Sequence, residues 1–400
     1  MAAFLFVVPP LTGHVNPTVA LGRELERRGH RVAWAGYRAQ IGSLLPEGAE
    51  ILPMGGEIPD EILEAAAAKA QGLRGMAALE FLWRDFLVPL ALAMVPGVEA
   101  AVEKFGPDCL VVDQQAFAGG IVARRQGLPW ATSATTSAEL VDPFAALPKV
   151  GEWVRDQLRS MQVAAGVDPE RAAEGDLRFS EQLVLAYTTE ELVGPALGLP
   201  AGSGPVAMVG PSLATPDDAA ARHGDGAFPW EWLESRQPKI LVSLGTVNGP
   251  VGARFYSAVV EAVAGTAVRA VLVAPPELVG EVPENVLVRS FVPQLGVLER
   301  VDAVVCHGGH NTVCESLAQG LPLVVAPIRD DQPIIAEQVV RSGAGIRVRF
   351  GRVNAGELRD AIGAVLGDPA FVAGAGRVQR SFRAAGGAPG AADRLETLLG

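Results

Sequence analysis

Short, continuous apolar runs recur along the chain, each followed by a turn rich in glycine or proline and then by a stretch with helical spacing. In the first half these runs are Phe4–Val8, Arg31–Ala35, Glu50–Pro53, Cys109–Val112, Trp130–Ser133 and Leu183–Ala186. In the second half they are Lys239–Leu244, Val268–Val273, Val286–Ser290, Ala303–Cys306, Leu323–Val325 and Gly345–Val348. Because they do not alternate with polar residues, they read as strands buried on both faces, which is the signature of parallel sheets. Helical patterns lie between them at Pro17–Arg28, Ile62–Gln71, Val95–Lys104, Ala253–Ala264, Thr312–Ala318, Ile334–Ser342 and Ala355–Leu366. Pro17 suits a first helical position after a loop Pro9–Asn16, and Gly29 ends that helix behind a charged last turn. A strand–helix–strand opening with a right-handed crossover makes its strands parallel. Residues Ser212–Pro229 lack hydrophobic periodicity and read as a linker. The pattern therefore predicts an α/β protein of two doubly wound, parallel-sheet domains, residues 1–211 and 230–385, with linker 212–229 and a terminal segment 386–400.

Composition narrows the function. Of 400 residues, 49% are hydrophobic, enough for sizeable cores, and the length suits two or three domains. The net charge of -12 argues against a nucleic-acid binder, which needs clustered Lys and Arg. It says little about a small anionic ligand. Cys109, Cys306 and Cys314 lack metal spacing and read as reduced core cysteines, which fits a cytoplasmic protein. The opening MAAFLFVVPP breaks at Pro9-Pro10 and lacks a basic flank, so it does not read as a signal peptide. The apolar run Phe86–Val98 contains Pro89 and Pro96 and is too short to span a bilayer, so no stable membrane insertion is expected.

Candidate chemistry concentrates between Phe291 and Gln332. After strand Ala303–Cys306 comes His307-Gly308-Gly309-His310-Asn311-Thr312, where two glycines let the backbone turn sharply and approach a ligand. Asn311 and Thr312 open a helix, whose N-terminus offers N–H groups and a positive dipole end to an anion. Gly320 and Pro322 stop it, and Arg329-Asp330-Asp331-Gln332 follow the next strand at its carboxyl end, where open α/β sheets bind ligands. This layout suits a phosphorylated ligand. In the first half, His14 follows the first strand and Asp113 ends a neighbouring one. A neutral histidine oriented by a carboxylate is suited to general-base work. Asp108 precedes its strand and is the weaker partner. His30, after the first helix, is expected near that helix's C-terminal dipole.

The second-half residues resemble the donor signature of the GT-B nucleotide-sugar glycosyltransferases, in the group that decorates macrolides, other natural products and plant metabolites. The matching residues are Phe291-Val292-Pro293-Gln294, His307 through Thr312, Glu315, Gly320-Leu321-Pro322, Pro327 and Asp331-Gln332. Phe291 stands where many members carry Trp, and His310 where the residue is often bulky and apolar. The resemblance implies two Rossmann-like domains facing across a cleft, with the last helix, Ala391–Leu399, returning to the first. Phe291, Val292 and Gln294 would border base and ribose, with Glu315 on the ribose hydroxyls. His307, Gly309, Asn311 and Thr312 would hold the diphosphate, and Asp331 and Gln332 would read the sugar. Independently of the resemblance, the loop Ser243-Leu244-Gly245-Thr246 after the first strand of the second domain is expected to add a hydroxyl and backbone N–H groups to the phosphate site. His14 and Asp113 would be the catalytic dyad of an inverting, metal-independent transfer, with a UDP- or dTDP-sugar as co-substrate and no cofactor. Met54, Met76, Phe81, Trp83, Phe86 and Phe144 occupy places where the family builds its acceptor pocket, which would take a hydrophobic polyketide, macrolide or aromatic aglycone. A hinge in the linker would permit domain closure.

Two further readings keep the donor site. A sugar-nucleotide epimerase or hydrolase would need no acceptor pocket, but it needs groups on both faces of the sugar. A non-catalytic nucleotide-sugar binding protein would not need His14 and Asp113. A dinucleotide oxidoreductase is disfavoured, because Pro9–His14 supplies a single glycine after the first strand. Asp330-Asp331 has no obvious third hard ligand and is not read as a metal pair.

Overall fold

The computed structural model describes residues 1–56, 69, 73, 75–213, 228–245 and 252–400. The chain divides into two compact units. The first comprises Met1–Tyr187, Ala196–Ala214 and Ala385–Gly400; the second comprises Thr188–Pro195 and Thr215–Ala384. Most of the linker assigned from sequence, the helix Ile62–Gln71 but for Lys69, and Thr246 lie outside the described residues.

The first unit is built on β1 (Ala3–Val7), β2 (Arg31–Gly36), β3 (Ile51–Pro53), β4 (Cys109–Asp113), β5 (Trp130–Ala134), β6 (Val184–Ala186) and β7 (Val206–Met208). They form one parallel sheet in the order β3-β2-β1-β4-β5-β6-β7. The second unit has β8 (Lys239–Ser243), β9 (Arg269–Val273), β10 (Val286–Arg289), β11 (Ala303–Cys306), β12 (Leu323–Val325) and β13 (Gly345–Arg347), parallel in the order β10-β9-β8-β11-β12-β13. Phe4, Leu5, Phe6 and Val7 of β1 are all fully buried, as are Ile240, Leu241 and Val242 of β8. Burying each such side chain contributes about 1.5–3 kcal/mol, so continuous apolar strands drive helices onto both faces of each sheet.

Strand order reverses between β1 and β4, and again between β8 and β11. At such a point the crossovers on either side leave in opposite directions and open a crevice at the carboxyl ends of the two strands. His14 and Asp113 sit at the first of these points, and Ser243 and the turn His307–Thr312 at the second.

Several elements differ from the sequence reading. The first helix runs Thr12–Arg27 and contains Pro17, so His14 lies in its first turn rather than on a preceding loop. Proline there removes one intrahelical hydrogen bond, a local cost that the burial of Val15, Val19, Leu21 and Leu25 outweighs. The apolar run around Phe86 belongs to a continuous helix, Gly75–Phe105, which by length and composition alone could cross a membrane. Half of its most apolar window is buried in the structure, as in a core helix. Its middle, Phe81–Leu87, is π-helical, with Val88 N–H donating to the Trp83 carbonyl just before Pro89. The wider turn accommodates a proline that lacks an N–H and crowds the preceding turn. Strand β7 was not legible as a strand.

The last helix, Gly387–Leu399, buries Ala391, Ala392 and Leu395 in the same cluster as Leu21 and Leu25. Arg28 bonds Asp393 and Glu396 at 2.7 Å each. His30 Nδ1 accepts from Ala2 N–H at 3.1 Å and Nε2 meets Glu396 at 2.8 Å, so it serves this junction rather than a helix dipole. All three cysteines are free and buried, and burial pushes the Cys109 and Cys306 thiols up to about 12.

Candidate active site and nucleotide site

At the first switch point the pairing of Val7 with Val112 brings the ends of β1 and β4 side by side. The chain leaving β1 enters a helix at Thr12, which turns His14 back over the end of β4. His14 Nδ1 lies 2.9 Å from Asp113 Oδ1 and 3.0 Å from Oδ2. The Asp113 side chain is fully buried, whereas that of His14 keeps 17% exposure. Gln115 N–H donates to Asp113 Oδ1 at 2.8 Å, and the Thr135 hydroxyl donates to Oδ2 at 2.8 Å. Thr135 Oγ1 is also 2.9 Å from His14 Nδ1. A carboxylate so fixed accepts the Nδ1 proton and makes Nε2 the basic nitrogen of the ring. Asp108, the weaker alternative, accepts from Ala3 N–H at 2.8 Å and stitches β1 to the segment before β4. Thr135 and Gln115 were missed in the sequence; the clue to Thr135 was its place just past the carboxyl end of β5.

The aromatic and methionine residues of this unit divide. Met54 and Trp83 are buried in the core, with Trp83 stacked on Phe117 at 5.6 Å. Phe86 and Phe144 are half-buried against the same core, and Phe81 is half-buried beneath Lys69. Met76 is exposed.

At the second switch point Ser243 pairs with Cys306, which sets the loops after β8 and β11 side by side. His307 fills the space between them. A Cβ on Gly245 would come within 2.8 Å of its Cε1, and one on Gly309 within 2.5 Å of its Nε2, so glycine at both positions gives the ring its room. His307 is 9% exposed, and its Nδ1 finds no hydrogen-bond partner among the described residues. Burial lowers its pKa to about 4 against a hydrogen bond to the Ser243 backbone, and the Arg329 charge lowers it further. The ring is therefore neutral at pH 7. Ser243 itself is buried, and its hydroxyl accepts a long bond from Gly245 N–H, 3.4 Å.

The helix after this turn runs His310–Ala318 with Gly309 as its N-cap, two residues earlier than the sequence pattern suggested. Its bonding begins with Val313 N–H donating to the Gly309 carbonyl at 3.0 Å. The N–H groups of the first turn, including those of Asn311 and Thr312, point out along the helix axis. One turn on, Glu315 accepts from Gln294 Nε2. Beside this pair Phe291 is 51% exposed while Val292 is buried. After β12, Asp331 is the N-cap of helix Gln332–Arg341 and half-buried. Gln332 is buried, and its Oε1 accepts from Ile328 N–H at 2.9 Å and Arg329 N–H at 3.1 Å. That carbonyl braces its own loop, which leaves the amide nitrogen as the end able to reach a ligand.

Comparison with known proteins places these features. Residues 259–398 match the family model described as erythromycin biosynthesis protein CIII-like, C-terminal domain. The chain is 31% identical to 4'-demethylrebeccamycin synthase of Lentzea aerocolonigenes, covering 100% of both chains. It is 28% identical to an NDP-glycosyltransferase of Bacillus licheniformis over 98% of this chain and 96% of that one. Among solved structures it resembles the glycotransferase of kitacinnamycin, with a TM-score of 0.77, 27% identity, and coverage of 100% and 99%.

Proposed function

The chain belongs to the GT-B glycosyltransferases of natural-product biosynthesis, and from that premise we propose that it transfers a sugar, with inversion, from a UDP- or dTDP-sugar to a hydroxyl of a hydrophobic acceptor. The observation that carries the reading is the His14–Asp113 contact at 2.9 Å, made at one switch point while the donor-type residues gather at the other. In the reaction the acceptor oxygen attacks the anomeric carbon as its proton passes to His14 Nε2. Asp113 stabilises the imidazolium through Nδ1. The bond from the anomeric carbon to the diphosphate breaks, and its electron pair stays on the phosphate oxygen. The N-terminus of helix His310–Ala318, with Asn311 and Thr312, holds that charge with fixed dipoles. Neutral His307 contributes a polar ring rather than a cation.

Phe291 gives the base an apolar face, and Glu315, held by Gln294, accepts from the ribose hydroxyls. Asp331 and the amide nitrogen of Gln332 read the sugar. Phe81, Phe86 and Phe144, half-buried, are better placed to meet an aglycone than Met54 and Trp83, which are spent on the core. The test is to incubate the protein with α-configured UDP- and dTDP-hexoses and a panel of phenolic and polyketide acceptors. A β-glycoside supports the proposal. An α-glycoside contradicts inversion, and free sugar or an epimerised donor with every acceptor favours the hydrolase or epimerase reading.

A further inference from the structure

Arg329 has a charge that the donor-site reading leaves unused. It stands just past β12, whose Val325 pairs with Cys306 of β11, so its loop adjoins the His307-Gly308-Gly309 turn. The two loops touch closely. A Cβ on Gly308, which has φ +88°, would fall within 2.9 Å of Val325 and 3.3 Å of the Gln332 carbonyl. The Arg329 side chain is only 14% exposed. Its guanidinium has one ion-pair partner among the described residues, Asp330, at 3.5 Å from Nε. Among the described residues, none of its nitrogens is both buried and without a partner, so the donors that Asp330 does not engage keep some access to solvent.

The backbone that carries it is fixed. Gln332 Oε1 clamps the N–H groups of Ile328 and Arg329. Asp330 adopts φ +55°, the left-handed region, the one non-glycine residue to do so among those described. Such a conformation is sparsely populated and persists where the surroundings dictate it. A guanidinium that is largely desolvated, loosely paired and held on a rigid turn is matched to a doubly bonding oxyanion. The field of Arg329 also reaches His307 across the two loops, a smaller push towards the neutral form that burial already imposes.

We propose that Arg329 is a further anion contact of the donor site, which binds the β-phosphate of the nucleoside diphosphate and takes up the charge that develops there as the sugar leaves. This rests on the donor-site reading above and assigns the leaving-group cation to a residue outside the helix N-terminus. Asp330 serves as its counter-ion when the site is empty. The phosphate displaces that weak contact with shorter, charge-assisted bonds.

The test is calorimetric titration of UDP, UMP, dTDP and dTMP into wild type, Arg329→Gln and Arg329→Lys, with melting temperatures as a check on folding. Arg329→Gln should weaken the diphosphates about tenfold or more and the monophosphates less than about twofold, because the monophosphates lack the group that Arg329 binds. Arg329→Lys should recover part of the loss, since it keeps the charge without the fork. Equal losses for mono- and diphosphates would overturn the proposal, as Arg329 would then act on the shape of the loop. Diphosphate binding unchanged in Arg329→Gln would overturn it too, since the guanidinium would then touch no phosphate. If wild type bound no nucleotide at all, the donor-site reading would fall first and this inference with it.

Discussion

The two switch points are built alike and finished differently. Each lies where strand order reverses, and each takes a histidine from the segment between a strand and the following helix's first turn. At the first, the His14 ring nitrogen, both Asp113 oxygens and the Thr135 hydroxyl are bonded to one another. At the second, Phe291 is exposed, and among the described residues His307 has a nitrogen without a partner and Arg329 an ion pair only at 3.5 Å. A closed polar network fixes one tautomer and one orientation, which a base needs. An open set of donors and an exposed ring are costly without a ligand, which is what a binding site for a charged, stackable molecule looks like. On the proposed function, the same topology carries a reactive centre in one unit and a recognition surface in the other.

That contrast can be broken most severely at His14. His14→Ala should lower kcat about 10²- to 10⁴-fold, the usual worth of a positioned base, and leave the melting temperature gain from UDP or dTDP intact. Retained turnover would remove the base from the first switch point. Gly309→Ala attacks the second. Its methyl would meet His307 Nε2 at 2.5 Å, so the variant should lose up to about 3 kcal/mol of stability and most nucleotide binding, read by chemical denaturation and calorimetry. Unchanged binding would mean that the His307 ring can move away at no cost.

A smaller effect follows from the burial of His307. Its folded-state pKa of about 4 lies below the ordinary 6.5, so between these values the unfolded chain binds more protons than the folded one. Stability should therefore fall as pH drops from 7 towards 4, by about 2 kcal/mol at pH 5 from this group alone. His307→Gln should remove that part of the slope. Parallel pH profiles for the two proteins would contradict a buried neutral ring. Least of all, Phe291→Ala should weaken nucleoside diphosphates by about 1 kcal/mol, roughly fivefold, without destabilising the fold, since the ring is half in water.

The strands were largely legible because a parallel sheet leaves them no alternation: Ala303–Cys306 and Leu323–Val325 fall where their valine runs stand. Strand β7 was not, since Val206–Met208 is three residues long, half-buried and at the sheet edge, where little apolar character is demanded. The first helix begins five residues before Pro17, where the sequence pattern starts it. Pro17 reads locally as a beginning, but tertiary burial carries the helix back to Thr12. The donor-type residues were legible as a spaced motif on two loops. What no spacing could give was which candidates were already occupied: the Gln332 carbonyl by its own loop, and the acceptor-pocket candidates Met54 and Trp83 by the core.

The division of labour between the two switch points is tested most directly by titrating UDP and dTDP into wild type, His14→Ala and Glu315→Ala. The account predicts that one of the two nucleotides binds wild type and His14→Ala within about twofold of each other, while Glu315→Ala binds it about tenfold or more weakly, the loss expected for a charged hydrogen-bond acceptor. Equal binding by wild type and Glu315→Ala, with the loss falling on His14→Ala instead, would contradict it.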